Sequence, residues 1–200
     1  MTSFSPDGLP YFPVMMHLTE IDGFKSIEKD LIKCAYDSRK KDPKGRVISN
    51  AGGWQSSFLH NENNIIRSTL LGGIGEYFES NNIFECNIIL DSLWVNINGK
   101  GHYNKEHQHP NSDLSGVFWI KSPKNAGNLE FTSPHGFVQY KELNFYSKKY
   151  REDNKAHHTY EFYPVAGRIV IFPSFIVHRV LPNQSDEDRI SVSFNILLNK

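Results

Sequence analysis

The residues best suited to chemistry in this chain are histidines, and three of them fall in an informative order. His107-Gln108-His109 is a His-x-His pair. On an extended strand, residues i and i+2 project to the same side, so both imidazoles can reach one ion. With nine histidines in 200 residues, such a pair arises by chance often enough that its spacing alone carries little weight. The surroundings add weight. A glycine turn, Gly99-Lys100-Gly101, precedes the pair and Pro110 follows it. The apolar run from Leu114 to Ile120 then reads as a strand. The pair therefore sits at the mouth of a sheet, where binding sites of small barrels lie. Late in the chain, a turn-bounded strand from Gly167 to Phe172 leads through Pro173 to His178, flanked by Val177, Val180 and Leu181. A lone histidine in an apolar segment is more often a satisfied core residue. As the third member of a set, His178 becomes a ligand candidate. Arg189-Ile190-Ser191 opens the last strand. A guanidinium forks onto a carboxylate, and the Ser191 hydroxyl can complete the clamp. The bland alternative for Arg189 is a surface ion pair with Asp186, Glu187 or Asp188.

Positioning these groups requires short strands, and the second half of the chain supplies them. Leu93 to Asn98 alternates, with Leu93, Val95 and Ile97 on one face and Trp94, Asn96 and Asn98 on the other. Leu114 to Lys121, Asn128 to Thr132, Arg168 to Phe172, Ile176 to Val180 and Arg189 to Leu197 are further strands, separated by turn residues. In the last, Ile190, Val192, Phe194 and Ile196 point one way, and Arg189, Ser191, Ser193 and Asn195 the other. One face packs on something apolar. The other faces water or lines a polar cavity. Upstream, Leu9 to Glu20 reads as a strand, Asp22 to Tyr36 as a helix with Ile27, Leu31 and Cys34 on one stripe, and Ile65 to Phe78 as a second helix. Gly72, Gly73 and Gly75 weaken that helix. Lys40 to Ser57 is turn-rich, and Lys141 to His158 is a polar, mostly basic excursion that could serve as a lid over a substrate. The expected fold is mainly β, a sandwich or jelly roll packed on an N-terminal helical layer. We expect one domain over 1–200, with 1–83 supporting a β core over 84–200.

Composition narrows the function. Lys plus Arg and Asp plus Glu are 22 each, so the formal net charge is zero. A balanced chain argues against a broad nucleic-acid or anionic-membrane surface. Cys34 and Cys86 have no metal spacing, and two cysteines make no disulfide scaffold, which points to a reducing cytoplasm. No signal peptide is visible, and no apolar window approaches the roughly 20 residues of a spanning helix. A homodimer is left open.

The order His-x-His, Leu-Ser-Gly-Val-Phe-Trp, Gly-Asn-Leu-Glu-Phe, Gly-Arg-Ile-Val-Ile-Phe-Pro-Ser-x-x-x-His-Arg-Val and Arg-Ile-Ser-Val-Ser-Phe-Asn resembles the Fe(II)- and 2-oxoglutarate-dependent oxygenases. Within them it is most similar to a group found in bacteria and bacteriophages. The likeness covers about Leu93 to Ile196. It implies a double-stranded β-helix with one Fe(II) at its mouth, and 2-oxoglutarate and O2 as co-substrates of a dioxygenase or hydroxylase. His107 and His178 match the two histidine ligands, and Arg189, with Ser191 beside it, the residue that binds the distal carboxylate. The usual pattern is two histidines and one carboxylate. Here His109 stands where the carboxylate belongs, so either three histidines hold the metal or Asp113 or Glu106 supplies an oxygen. Three imidazoles would also suit zinc. Trp119, Phe131 and Phe172 could wall the pocket. Two rivals stand beside this reading: a cupin-type metalloenzyme that does not use 2-oxoglutarate, and a non-enzymatic jelly-roll binding module. The substrate is not readable.

Overall fold

A computed structural model describes residues 14–60, 64–135, 145–154 and 156–200. Their elements run β1 (His17–Glu20), α1 (Phe24–Lys41), β2 (Asn50–Ala51), β3 (Trp54–Gln55), α2 (Ile65–Ser80), β4 (Asn87–Asn98), β5 (Tyr103–His107), β6 (Leu114–Lys121), β7 (Leu129–Thr132), α3 (Lys148–Asp153), β8 (Thr159–Phe162), β9 (Arg168–Pro173), β10 (His178–Val180) and β11 (Arg189–Asn199). The strands form two antiparallel sheets. The major sheet has the order β1-β9-β6-β11-β4-β3, and the minor sheet the order β2-β5-β10-β7-β8. The fold is a jelly roll with α1 and α2 laid on the outer face of the major sheet.

Period-two patterning places the core. Leu93, Val95 and Ile97 of β4 and Ile190, Val192, Phe194 and Ile196 of β11 all face the helices. There they meet Leu31 and Ala35 of α1 and Ile66, Leu70, Ile74 and Phe78 of α2. Strands β6 and β9 are apolar on both faces. Phe118, Ile120, Ile169 and Ile171 join the helix-side core, while Val117, Trp119, Val170 and Phe172 point inward to a second cluster with Leu129, Phe131 and Ile176. The interior between the sheets is therefore apolar along β6 and β9 and polar along β4 and β11.

Helix α2 forms despite its glycines. Asn64 caps it by accepting from the backbone N–H of Ile66 and Arg67, and its buried residues recur every fourth position. Gly73 is there for proximity, because a Cβ would collide with the Ile21 side chain. Gly116 serves the same end on β6, where its missing side chain admits the Phe194 ring from the neighbouring strand.

Several elements differ from the sequence expectation. The first strand covers only His17–Glu20 among the described residues; 9–13 lie outside them. Helix α1 continues to Lys41, where Arg39, Lys40 and Lys41 complement the negative end of its dipole. The turn-rich stretch Lys40 to Ser57 contains β2 and β3, two residues each and too short to show a period. The excursion Lys141 to His158 contains α3, capped by the Ser147 hydroxyl; its residues 141–144 and 155 lie outside the described ones. No described helix is long and apolar enough to cross a membrane.

Candidate metal centre

His107 ends β5, and His178 begins β10 directly opposite it. Directly opposed residues of antiparallel strands put their side chains on one face a few ångströms apart. The two imidazole centroids are accordingly 4.4 Å apart. His109 lies two residues beyond the end of β5, so the strand geometry expected for the pair covers only its first member. A backbone hydrogen bond holds it instead: the His109 N–H donates to the Ser174 carbonyl at 3.0 Å. Its ring is 5.1 Å from His107 and stacks 5.3 Å from His178. One ligand atom from each of the three histidines lies within 4.8 Å of the others.

Second contacts set which nitrogen is free. His107 Nδ1 lies 2.7 Å from the Lys105 carbonyl, and His178 Nδ1 lies 2.9 Å from the Ile176 carbonyl. A carbonyl only accepts, so Nδ1 carries the proton and Nε2 keeps its lone pair. Burial pushes all three pKa values down. His109 falls to about 4 and His178 to about 3, each helped by the charge that would sit on His107, and His107 is lowered as well. At neutral pH the three rings are neutral donors, as a divalent metal requires. Metal–nitrogen bonds of ~2.1 Å place bound nitrogens roughly 3–4 Å apart, so small ring rotations close the set. The residues fit an ion.

The two carboxylates weighed as alternatives lie elsewhere in role. Asp113 Oδ2 accepts the Leu198 backbone N–H at 2.8 Å, and its own N–H donates to Ile196. Glu106 is exposed and contributes to the field around Arg179. Among the described residues, neither joins a cluster with the histidines.

Arg189 is 1% exposed. Its Nη1 donates to the carbonyls of Ala126, Gly127 and Leu181. Gly127 is required there, since a Cβ would strike the Leu181 carbonyl and the guanidinium itself. The acids considered as its surface partners are all engaged elsewhere. Asp186 pairs with Lys100 at 2.7 Å, Glu187 with Lys121 at 2.9 Å, and Asp188 accepts from the Tyr36 hydroxyl at 3.0 Å. Carbonyl acceptors satisfy donors without neutralising charge. Burial lowers the Arg189 pKa to about 10. Burying a cation with no described countercharge is costly.

A cavity bordered by the three histidines is lined by Trp94, Asn96, Ser191 and Ser193 on the β4/β11 side and by Val117, Trp119, Leu129 and Phe172 on the other. Trp119 and Phe172 are thus walls, as expected, while Phe131 stands behind them, 4.7 Å from Phe172 and 5.8 Å from His178. Sequence reading missed the support beneath His109. Ser174 Oγ, Ser115 Oγ, Asn195 and Ser92 form a buried chain with links of 2.8, 2.8 and 3.1 Å, which fixes the segment whose carbonyl holds His109. The alternation of β11 was the available signal for Asn195. His102, five residues before His107, accepts from the Gly99 N–H and closes a turn.

The structure is thus a jelly roll that brings together three neutral imidazoles and buries an arginine with no described carboxylate partner. A family profile described as "Putative 2OG-Fe(II) oxygenase" matches residues 92–195. The chain belongs to the 2OG-Fe(II) oxygenase family, whose members are non-haem iron oxidoreductases using Fe(II) and 2-oxoglutarate. A search of curated protein sequences finds no match. Solved structures share the fold at low identity. A prolyl-4-hydroxylase from Pseudomonas putida is 13% identical with a TM-score of 0.62, over 94% of this chain and 94% of that one. The carbocyclase SnoK from nogalamycin biosynthesis is 10% identical with a TM-score of 0.64, over 93% and 80%. The viral collagen prolyl hydroxylase of Paramecium bursaria Chlorella virus-1 is 16% identical with a TM-score of 0.57, over 92% and 96%. Family membership selects the oxygenase over the cupin and the binding module.

Proposed function

We propose that His107, His109 and His178 hold the Fe(II), that Arg189 and Ser191 anchor 2-oxoglutarate, and that the enzyme hydroxylates a C–H bond of a substrate still to be identified. The observation that carries this reading is the pairing of three neutral imidazoles with a buried arginine that has no carboxylate partner among the described residues. When bound, the iron and 2-oxoglutarate supply oxygen activation, the keto acid leaving as succinate and carbon dioxide.

The chain's own contribution is positioning and charge. The Lys105 and Ile176 carbonyls orient the His107 and His178 rings and keep Nε2 unprotonated. Three neutral ligands leave the dipositive charge of the metal undiminished, where a carboxylate would remove one unit. Together with Arg189 this creates a strongly positive pocket for a dianion in a low-dielectric interior. Arg189 fixes the far carboxylate because its guanidinium is itself fixed by three carbonyls, so little side-chain entropy is lost on binding. Trp119 and Phe172 exclude water from the cavity.

The deciding experiment is anaerobic addition of Fe(II) and 2-oxoglutarate to the full chain. A weak visible charge-transfer band of the chelated keto acid is expected. It should vanish in His178→Ala and require far more 2-oxoglutarate in Arg189→Ala. Absence of the band in the wild-type protein would sink the reading.

A further inference from the structure

We propose that the groove beside helix α2 is the face on which two copies of this chain pair around a twofold axis, Leu71 of each seated against Gly75 of the other and Arg67 against Glu79.

The glycines of α2 are not alike. Gly73 makes room for Ile21 of the same chain. At Gly75 an added Cβ would meet nothing within 4 Å. A glycine in a helix interior is destabilising relative to alanine, and no contact within the chain accounts for this one. Gly75 borders an open groove of about 460 Å3, walled by Leu71, Ile74 and Phe78 on the helix and by Phe84, Ile88 and Leu90 facing them. Leu71 stands at its border, 42% exposed. The groove lies on the helix side of β4, whereas the histidines border the cavity on the other side.

Spacing makes this surface self-complementary. Arg67, Leu71, Gly75 and Glu79 are four residues apart and form one ridge of α2. Leu71 is a knob on that ridge, and Gly75 is a gap. When a second α2 lies antiparallel on the first, with the axis at the level of Gly73, Leu71 meets Gly75 and Arg67 meets Glu79. Each contact then occurs twice. The charges at the two ends have the signs this requires. Arg67 Nη2 donates to the Leu90 carbonyl at a long 3.5 Å, and its Nε is buried without a hydrogen-bond partner among the described residues. Glu79 is exposed. Among the described residues, neither side chain joins an ion pair. A parallel arrangement would set Arg67 on Arg67 and Glu79 on Glu79, and like charges facing each other select against it. A foreign partner would have to bring the same order of anion, gap, knob and cation that a second copy already carries. The zero net charge of the chain leaves no overall repulsion between copies.

The test is sedimentation velocity of the full chain across the micromolar range. The wild type should move as a dimer, at twice 23.0 kDa. Leu71→Asp should weaken association roughly a hundredfold or more, because the axis counts each substitution twice. Gly75→Leu closes the gap and should weaken it similarly, although it puts a good helix former in place of a poor one. Arg67→Glu and Glu79→Arg, which set like charges against each other, should each be monomeric alone and form a mixed dimer when combined. A wild type that stays monomeric overturns the proposal. So does a dimer that survives Leu71→Asp, or a mixture of the two charge-reversed proteins that remains monomeric. If Arg67→Glu fails to fold for want of its bond to Leu90, Leu71→Asp and Gly75→Leu decide: a dimer that persists in both uses another face, and the proposal falls.

Discussion

The two faces of β4 and β11 are both dry, yet they are built on opposite principles. On the helix side, Leu93, Val95, Ile97, Ile190, Val192, Phe194 and Ile196 are each 0–1% exposed and belong to one apolar cluster. On the inner side, Ser92, Asn96, Asn98, Arg189, Ser191 and Asn195 are also buried, but all are polar. Burying an apolar side chain stabilises by about 1.5–3 kcal/mol, whereas burying a polar or charged one costs unless it is paired. One face thus supplies stability and the other consumes it. Low exposure alone does not distinguish them; the chemistry of the buried groups does. The inner side of β4 and β11 carries an arginine without a carboxylate among the described residues and, on Asn96, a buried amide oxygen without a described partner, while the minor sheet supplies the desolvated imidazoles of His107 and His178 across the cavity.

The comparison can be broken in three ways. The largest effect is expected on the helix side. Phe194→Ala should cost about 3–5 kcal/mol in urea-induced unfolding, while the folded fraction still binds 2-oxoglutarate normally. Weakened binding per folded molecule would show that the faces are not separable. Next, a divalent metal at a hundredfold its dissociation constant should stabilise the wild type by about 2.7 kcal/mol. The same addition should leave the melting temperature of His178→Ala unmoved, because the inner face then lacks its ligand. The smallest effect is that of pH on the metal-free protein. The three imidazoles have folded pKa values below the unfolded value of 6.5, so the unfolded chain takes up protons that the folded chain refuses. Their contribution is full above about pH 6.5 and is lost progressively as pH falls toward about 4 for His109 and about 3 for His178. His17, half-buried among aromatic rings on the helix side, acts in the same direction. Melting curves at pH 7.5 and 5.5 should show the wild type losing more than His109→Gln; equal losses would contradict the assigned burial.

Much of this contrast is legible in the sequence. The alternation of Leu93 to Asn98 and of Arg189 to Leu197 separates the two faces without error, because a strand with one polar and one apolar face has no other way to be written. The order of His107, His109 and His178 points to three side chains that the fold brings together. What is not legible is whatever depends on long-range pairing. The Arg189 ion-pair alternative looks reasonable from three neighbouring acids, until the fold delivers Lys100, Lys121 and Tyr36 to them. Asp113 has the right chemistry for a ligand and is used instead on the Leu198 backbone. The edge strand β8 and the short helix α3 escape because four mostly exposed residues and one and a half turns leave no periodic trace. The orphaned Asn96 oxygen is invisible in any linear pattern, since a missing partner appears only when all neighbours are in place.

The pairing of His107 with His178 across β5 and β10 has a consequence for how the molecule comes together. Residues 108–177 intervene, and β10 is held on its other side by β7. No short segment of the unfolded chain can present both imidazoles at once, so the full set of donors exists only after the late, non-local zippering of the smaller sheet. Metal uptake then becomes a clock for that event. In a stopped-flow refolding experiment, it should lag the appearance of helical signal and coincide with the final phase.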